Sequence, residues 1–287
     1  MSLTVLTNIA ALKAQRQLSL TTDRLSKVEE RLASGLRINT AADDPAGLAV
    51  ADMLRGQVRV ATAAIRNAND GISAVSIADG ALGEISNVLQ RMAELATQSA
   101  NGVFTNAQRS PIQGEFAALA SEIERIATIV NFNKIALLSG GGSITLQVGL
   151  DSTANSQIIL KGVQATLSSL QLAAGGSQLS YSVIANNEVD SQQAARSALQ
   201  AVLTAIDNVS ASRGSLGASE SRLNSAVRNL QSTRDNFNAA ESQIRDVDVA
   251  FETANLVREQ ILQQAGIAIL TQANQQPALV LRLLNSN

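Results

Sequence analysis

The sequence predicts a mainly α fold: an elongated antiparallel helical bundle or coiled coil built from both halves of the chain, with a small β-hairpin region. Apolar residues recur at alternating spacings of three and four in both halves, as in the seam of a coiled coil. Only 2% of the residues are aromatic, so long helices packed through Ala, Leu, Ile and Val suit the composition better than a globular core does. Gly, Asp and Pro residues at the ends of these patterns divide them into separate helices.

The composition argues against catalysis. The 287-residue chain has no Cys, no His and no Trp, and its formal net charge is −2. Absence of Cys excludes disulfides, thiolate nucleophiles and thiolate metal sites, and absence of His removes the commonest general base and metal ligand. The scattered Lys and Arg residues offer no basic surface for nucleic acid. We therefore predict that the protein is not an enzyme, has no catalytic residue, cofactor or metal site, and binds no nucleic acid.

The first predicted helix belongs to a coiled coil. Leu18, Leu25 and Leu32 lie seven residues apart, and Val28 lies at the offset of three that a seam requires. Gly35 can end this helix in a left-handed conformation. The N-terminal residues lack the basic region and the continuous apolar run of a secretory signal, so any export is expected to use another route.

Two further helices follow in the N-terminal half. Asp44-Pro45 is typical of an N-cap followed by the first helical residue and predicts a helix over about 45–100. Ser110-Pro111 predicts the start of a third helix over about 111–130. The Asp43-Asp44 pair could suggest a metal or catalytic site, but helix capping explains it better because adjacent carboxylates diverge. The seam positions are Val75, Ala78, Leu82, Ile85, Leu89, Met92 and Ala96, then Ile112, Phe116, Leu119, Ile123, Ile126 and Val130.

The middle of the chain has a different residue composition. β-branched and turn residues from about 143 to 160 predict a β-hairpin. Residues from about 162 to 189 are rich in Ser, Gly, Ala and Gln and are predicted to be a short variable segment. The glycines at 140–142 predict a flexible turn rather than a phosphate-binding loop, because no Lys-Ser or Lys-Thr pair follows them.

The C-terminal half carries the longest seam and the most apolar segment. The seam predicts a helix over about 218–250, and its large residues are Leu223, Leu230, Phe237, Ile244 and Phe251. The segment Ile261–Leu284 contains a single charged residue. Gln, Asn and Pro residues nevertheless interrupt the run of roughly 20 apolar residues that a membrane-spanning helix needs. We therefore predict no membrane insertion, and expect protein to cover this apolar segment.

The two chain ends can pair as a two-helix coil, but their apolar faces are too broad for a single partner helix to cover. Large exposed apolar patches mark association surfaces. The sequence therefore predicts that many copies of the chain associate through their ends. The residues assigned to this polymerisation are Val5, Leu6, Ile9, Leu12, Leu18, Leu25, Ile261, Leu262, Ile269, Leu270, Leu279, Val280, Leu283 and Leu284.

Long stretches of both halves resemble bacterial flagellin, the protein of the flagellar filament. They include LASGLRINTAADDPAGLAVADML, LQRMAELATQSANG, SRLNSAVRNLQSTRDNFNAAESQIRDVDVAF and ILQQAGIAILTQANQQPALVLRLL. The resemblance covers about residues 1–160 and 205–284. The chain departs from the family at Leu6, Lys134 and Val249, where the family commonly has Asn, Gly and Tyr.

The resemblance implies a domain organisation. Residues 1–43 correspond to the N-terminal part of an inner coiled-coil domain with a connecting loop, and residues 251–287 correspond to its C-terminal part. Residues 44–250 correspond to a rod domain. The insert between the two halves is so short that the outer variable domains of other flagellins are expected to be missing.

The resemblance also implies a function and partners. The implied product is a secreted, extracellular helical filament of the bacterial flagellum, which serves as a motility propeller and whose subunits fold their termini on polymerisation. The implied partners are many copies of the chain itself, the flagellar export chaperone and type III export apparatus, and the filament cap and hook-junction proteins.

A surface for a Toll-like innate receptor is a further implication of the resemblance. The stretch LQRMAELATQSANG matches the family at this surface. A solvated or subunit-contacting helix face explains the same residues equally well, so both interpretations stand. The residues concerned are Gln90, Arg91, Glu94, Leu95, Gln98 and Glu115.

Other functions remain open from the sequence. A hook–filament junction protein shares the terminal coiled-coil plan and the length, but it would add only a short layer of subunits. A cytoplasmic coiled-coil signalling module predicts a stable dimer with ordered ends and no export. An enzyme within residues 162–189 is the weakest alternative, because the segment is short and chemically plain.

Overall fold

The computed structural model describes residues 7–173 and 177–284, with the side chains up to residue 275. In these ranges the chain forms five long helices and two small antiparallel strand pairs, which confirms the predicted mainly α fold. The chain divides into two compact units, Met1–Val58 with Asp235–Asn287 and Arg59–Arg234. The domain bounds predicted by resemblance stay a prediction. The helices are α1 (Ile9–Ser34), α2 (Pro45–Ser99), α3 (Asn106–Ile129), α4 (Glu188–Arg245) and α5 (Val249–Leu284).

Helix α1 has a defined start and a defined end. Asn8 caps its start, because the Asn8 side chain accepts a hydrogen bond from the Ala11 N–H (3.0 Å). Gly35 ends it with a φ of 71°, the left-handed conformation that the sequence predicts. Leu25 and Val28 are buried in the seam between α1 and α5, so this part of the predicted coiled-coil seam is confirmed.

The acidic pair between α1 and α2 shapes the turn. Asp44 Oδ1 accepts a hydrogen bond from the Gly47 N–H (2.9 Å), which confirms its role as an N-cap. The Asp43 carboxylate accepts hydrogen bonds from the N–H groups of Thr40 (3.0 Å) and Asn39 (3.2 Å). The hydrogen bond from Thr40 is the main reason that the pKa of Asp43 lies below its ordinary value. Both carboxylates therefore hold the backbone of this turn.

The linker between α4 and α5, residues 246–248, is held by the residues that follow α1. Leu36 and Asp246 form an antiparallel β-bridge. The Val247 N–H donates a hydrogen bond to the Gly35 carbonyl oxygen (3.1 Å). These backbone hydrogen bonds tie together the linker after α1 and the linker before α5, and they interrupt the helix within the predicted C-terminal seam.

Burial declines along that C-terminal series. Leu223 and Leu230 are buried in the second unit, whereas Phe237 and Ile244 are only partly buried. Phe251 lies beyond the linker, on α5, and is 63% exposed. The prediction that these five residues form one buried seam is therefore wrong beyond Leu230, since Phe237 and Ile244 are partly exposed and Phe251 lies on a separate helix after α4 ends at Arg245.

The core of the second unit is shared by α2, α3 and α4, together with the loops and strands between α3 and α4. The predicted seams of α2 and α3 are confirmed, since their large residues are almost fully buried. These residues are Leu82, Ile85, Leu89, Met92, Phe116 and Ile123.

Helix α4 begins at Glu188, well before the predicted start at about 218. Its first half faces the core with mostly small residues, and this weak apolar contrast hides the helical period in the sequence. The buried positions are Ser191, Ala195, Ala198, Val202, Ala205 and Val209, which keep the three–four spacing of the seam.

Helix α3 also begins earlier than predicted. It starts at Asn106, and the Thr105 N–H donates a hydrogen bond to Gln108 Oε1 (3.0 Å) in a capping box. Pro111 lies inside the helix and does not start it. The capping box supplies a stronger start signal than the proline, so the prediction of a start at 111 is wrong.

Two short hairpins lie between α3 and α4. The β3–β4 hairpin confirms the hairpin predicted over about 143–160, and the β1–β2 hairpin was not predicted, because strands of two residues show no alternation. A 3-10 turn at Ala154–Ser156 precedes β4. The strands are β1 (Asn131–Phe132), β2 (Ile135–Ala136), β3 (Ile144–Gln147) and β4 (Gln157–Leu160).

Asn133 and Lys134 form the two-residue turn of the β1–β2 hairpin. Their φ angles are 48° and 66°, and two positive angles are what a type I′ turn requires. This left-handed conformation is strained for a residue with a Cβ atom but not for glycine. This explains in physical terms why a glycine suits position 134.

Replacing Lys134 by glycine is expected to raise the free energy of unfolding by about 0.5–1 kcal/mol, because it relieves the left-handed backbone. The matched control is Lys134→Ala, which removes the same charge and side chain but keeps the Cβ atom. Chemical denaturation of the purified variants measures the difference. Equal stabilities of the glycine and alanine variants would show that the turn carries no strain.

Candidate assembly surface

Helices α1 and α5 run antiparallel, and polar contacts hold the pair near both ends. Asn8 Nδ2 donates a hydrogen bond to the Ala273 carbonyl oxygen (2.7 Å). Toward the other end, Arg31 Nη1 lies 3.5 Å from Glu252 Oε1. The Glu252 side chain is only 5% exposed, and it also accepts a hydrogen bond from Asn255 Nδ2 (3.1 Å). A buried carboxylate with two donors fixes the register of the pair.

The inner side of the pair is closely packed. A Cβ atom at Gly266 would lie 3.3 Å from the Leu18 side chain, so glycine lets the two helices approach at this point. Thr21, Leu25 and Val28 of α1 are buried along the same seam. The pair therefore uses one face of each helix for its own stability.

The outer side of the pair leaves large apolar side chains in water. On α1, Leu12 is 59% exposed, and on α5, Ile261 is 60% exposed. Several large apolar side chains exposed on one helix pair mark a site of protein association. The exposed apolar residues of the two helices are Ile9, Leu12, Leu20, Val249, Phe251, Val257, Ile261, Leu262, Ile267 and Ile269.

The predicted polymerisation residues fall into three groups. Five of them lie on the exposed outer side: Ile9, Leu12, Ile261, Leu262 and Ile269. Leu18, Leu25 and Leu270 are partly or fully buried within the single chain. Val5 and Leu6 lie outside the described residues, and Leu279, Val280, Leu283 and Leu284 belong to α5 with side chains outside the described part.

Several exposed residues were not predicted as part of this surface. Phe251 was assigned to the buried seam of the preceding helix, and Val257 was not singled out. Val50 and Met53 on α2, also in the first unit, are 43% and 56% exposed. Helical spacing from Ile261 could have identified Val257, four residues earlier, but no sequence signal marks the break between α4 and α5 that precedes Phe251.

The residues of the predicted receptor surface form a charged cluster on α2 and α3. Arg91 Nε donates a hydrogen bond to Glu115 Oε1, and Arg91 Nη1 donates one to Glu94 Oε2, each at 2.9 Å. These bonds, the one to Glu115 foremost, raise the pKa of Arg91 above its ordinary value. Gln90 and Gln98 are exposed beside them.

Leu95 does not belong to this surface. It is 2% exposed in the core of the second unit, so its assignment to the receptor surface is corrected. Its helical neighbours on the exposed side instead border an open groove between α2 and α4, whose apolar lining includes Ala93, Leu199, Leu203 and Ile206.

Among the residues that the structure describes, every helix is too short or too polar to span a membrane.

The chain is similar to flagellar proteins of several bacteria. Family models for the bacterial flagellin N-terminal and C-terminal helical regions match residues 5–143 and 199–284. A flagellin of Halalkalibacterium halodurans is 40% identical over 278 residues, which covers 96% of this chain and 98% of that protein. A flagellin of Bacillus subtilis is 38% identical over 298 residues, with the same coverage of both chains.

A solved structure supports the fold alone. It is described as a flagellar hook-associated protein from Vibrio parahaemolyticus and aligns with a TM-score of 0.57 at 14% identity. The alignment covers 71% of this chain and 100% of that chain.

Two leucines of α1 test the division into an inner and an outer side. Leu25→Ala is expected to lower the free energy of unfolding of the first unit by about 2–5 kcal/mol, because it opens a cavity in the seam. The matched variant Leu12→Ala is expected to change it by no more than about 0.5 kcal/mol. Chemical denaturation followed by circular dichroism measures both values. A comparable loss for Leu12→Ala would mean that Leu12 is buried within the free subunit.

Proposed function

Since the chain belongs to the bacterial flagellin family, we propose that it is the structural subunit of an extracellular flagellar filament, a helical polymer of many copies that serves in motility. The observation that carries this proposal is the exposed apolar outer side of the α1/α5 pair. It occurs in a chain that aligns almost from end to end with flagellins.

Burial of that outer side is the driving force that we propose for assembly. A fully buried large apolar side chain gains about 1.5–3 kcal/mol, so a half-exposed one has roughly 1 kcal/mol left to gain. Ile9, Leu12, Ile261, Leu262 and Ile269 would together supply roughly 5 kcal/mol. Association costs about 4–15 kcal/mol in lost translational and rotational freedom. A subunit therefore needs several neighbours at once, as a helical lattice provides.

Folding of the termini is proposed to be coupled to this assembly. In a free subunit α5 is the helix that packs along α1, and a helix pair with one apolar side in water is marginally stable. Docking onto the growing end would cover that side and offset the ordering entropy of both helices. The expected signature is a gain of helicity on polymerisation.

Further partners are proposed from family membership. They are the export chaperone and type III export apparatus, which would handle the apolar C-terminal segment, and the filament cap and hook-junction proteins at the two ends of the polymer. The alternative of a junction protein has weaker support, because similarity to the hook-associated structure extends to the fold alone, at 14% identity. No observation favours a cytoplasmic signalling module.

The receptor surface is proposed in a corrected form, without Leu95. Arg91 holds Glu94 and Glu115 in place by charge-assisted hydrogen bonds, so neighbouring faces of α2 and α3 offer an ordered array of charge. Gln90 and Gln98 extend it. A Toll-like receptor would bind this array of charged side chains on the monomer.

Deletion of residues 262–287 is expected to abolish seeded polymerisation and to leave the second unit folded, because it removes Leu262, Ile267 and Ile269 from the outer side of α5 while Arg59–Arg234 is untouched. Negative-stain electron microscopy measures growth, and thermal unfolding measures the remaining fold. The point variant Ile261→Ser is expected to slow growth in the same assay, with Val103→Ser as control, since Val103 is 77% exposed in the second unit. Long filaments from the truncated chain would refute the proposed mechanism.

For the receptor surface, Arg91→Ala is expected to lower receptor signalling by roughly 10-fold or more, as loss of an interface hot spot does. Arg125→Ala is the control, because Arg125 forms a comparable exposed ion pair with Glu122 on α3. Both variants should retain the wild-type helicity. Equal signalling from wild type and Arg91→Ala would leave the cluster as a solvated or subunit-contacting helix face.

A further inference from the structure

The turn between α2 and α3 contains Asn101-Gly102, the single Asn-Gly dipeptide in the sequence. Both residues are exposed to water. We propose that this dipeptide is a self-modification site, at which the chain closes a succinimide ring and reopens it to isoaspartate without an enzyme.

The groups needed for ring closure are free and activated. The nucleophile is the Gly102 backbone nitrogen, whose N–H has no hydrogen-bond acceptor in the described part of the chain. The electrophile is Asn101 Cγ, and its Oδ1 accepts a hydrogen bond from the Val103 N–H (3.2 Å). That donor stabilises the negative charge that develops on Oδ1 when Cγ is attacked. Glycine adds no Cβ atom to hinder the approach.

The first step releases ammonia. The Gly102 nitrogen gives its proton to solvent and bonds to Asn101 Cγ. The Cγ–Nδ2 bond then breaks, and Nδ2 takes a proton from solvent and leaves as ammonia. The product is a five-membered ring that contains the Gly102 nitrogen and both carbonyl carbons of residue 101.

The second step consumes one water molecule, and it can follow two routes. Addition at Cγ breaks the new bond and gives an ordinary aspartate. Addition at the main-chain carbonyl carbon of residue 101 breaks its bond to the Gly102 nitrogen instead. The chain then runs through Cγ, and the former main-chain carbonyl becomes a free carboxylate, which is isoaspartate.

Arg109 selects the second route. Its Nη2 donates a hydrogen bond to the Asn101 main-chain carbonyl oxygen (2.9 Å), the oxygen that becomes negative when water adds there. The Arg109 side chain is fully buried, and its other acceptors among the described residues are the Ser99 carbonyl oxygen and Asn106 Oδ1, which are neutral. Isoaspartate would place a carboxylate on the oxygen that this guanidinium already contacts, and so give the buried cation an opposite charge.

A second dipeptide in the chain provides an internal comparison. Asp70-Gly71 can form the same ring in principle, but it lies inside α2. There the backbone N–H of Gly71 is engaged in the helix, and Gly71 is buried. Ring closure at this site would require local unfolding, so it is expected to stay unmodified in the folded chain.

The test follows the full-length chain during incubation at mildly alkaline pH, beside a synthetic peptide of residues 96–106 and the chain unfolded in urea. The expected result is a mass increase of about 1 Da confined to residue 101. Folded chain should react at least as fast as the peptide, and its isoaspartate share, read by isoaspartyl methyltransferase labelling, should exceed that of both references. Gly102→Ala should slow the reaction roughly 10-fold or more, because the Cβ atom hinders ring closure.

The role of Arg109 has its own variant. Arg109→Lys keeps the charge but loses the fixed geometry of the donors, and it should lower the isoaspartate share toward that of the peptide. The comparison of folded and urea-unfolded wild type gives the same information if this variant does not fold. The proposal is overturned if Asn101 stays intact in the folded chain while the peptide reacts. It is also overturned if the isoaspartate share is the same in the folded and unfolded chain.

Discussion

The structure depends on one constraint: α1 and α5 are apolar on two sides, and within a single chain each can cover only one side of the other. Their inner seam, with Leu25 and Val28 buried and Gly266 allowing close approach, holds the pair together. The outer side, exemplified by Leu12 and Ile261, is left in water. A free subunit therefore leaves part of its apolar surface uncovered, and neighbouring subunits in a polymer cover it.

Each unit also has contacts of its own that hold together elements distant in the sequence. In the first unit, the β-bridge between Leu36 and Asp246 joins the linker after α1 to the linker before α5. In the second unit, small residues such as Ala198 and Ala205 let α4 share a core with α2 and α3. Arg109 caps the carbonyl groups that follow α2 with a buried guanidinium. Stability in this protein comes from long helices and from capped ends.

Sequence reasoning succeeded where a single local pattern decides the structure. Heptad spacing located the buried seams of α2 and α3, and Gly35 and Asp44 located helix ends, because each acts through its own backbone or helix face. It failed at the start of α4, where small residues weaken the pattern, and at Phe251, where pairing between two linkers that are distant in the sequence interrupts the helix. The sequence predicted that the chain ends carry an apolar association surface. Which apolar residues lie on that surface depends on which side of α1 is covered by α5, and the sequence does not reveal this.

The most direct test of this account is seeded polymerisation of the purified full-length chain, with electron microscopy and circular dichroism before and after growth. Long filaments accompanied by a gain in helicity are predicted, because the outer side of α1 and α5 becomes covered as the helices gain neighbours. Short rings or caps, or a non-growing dimer whose helicity is already complete, would contradict it.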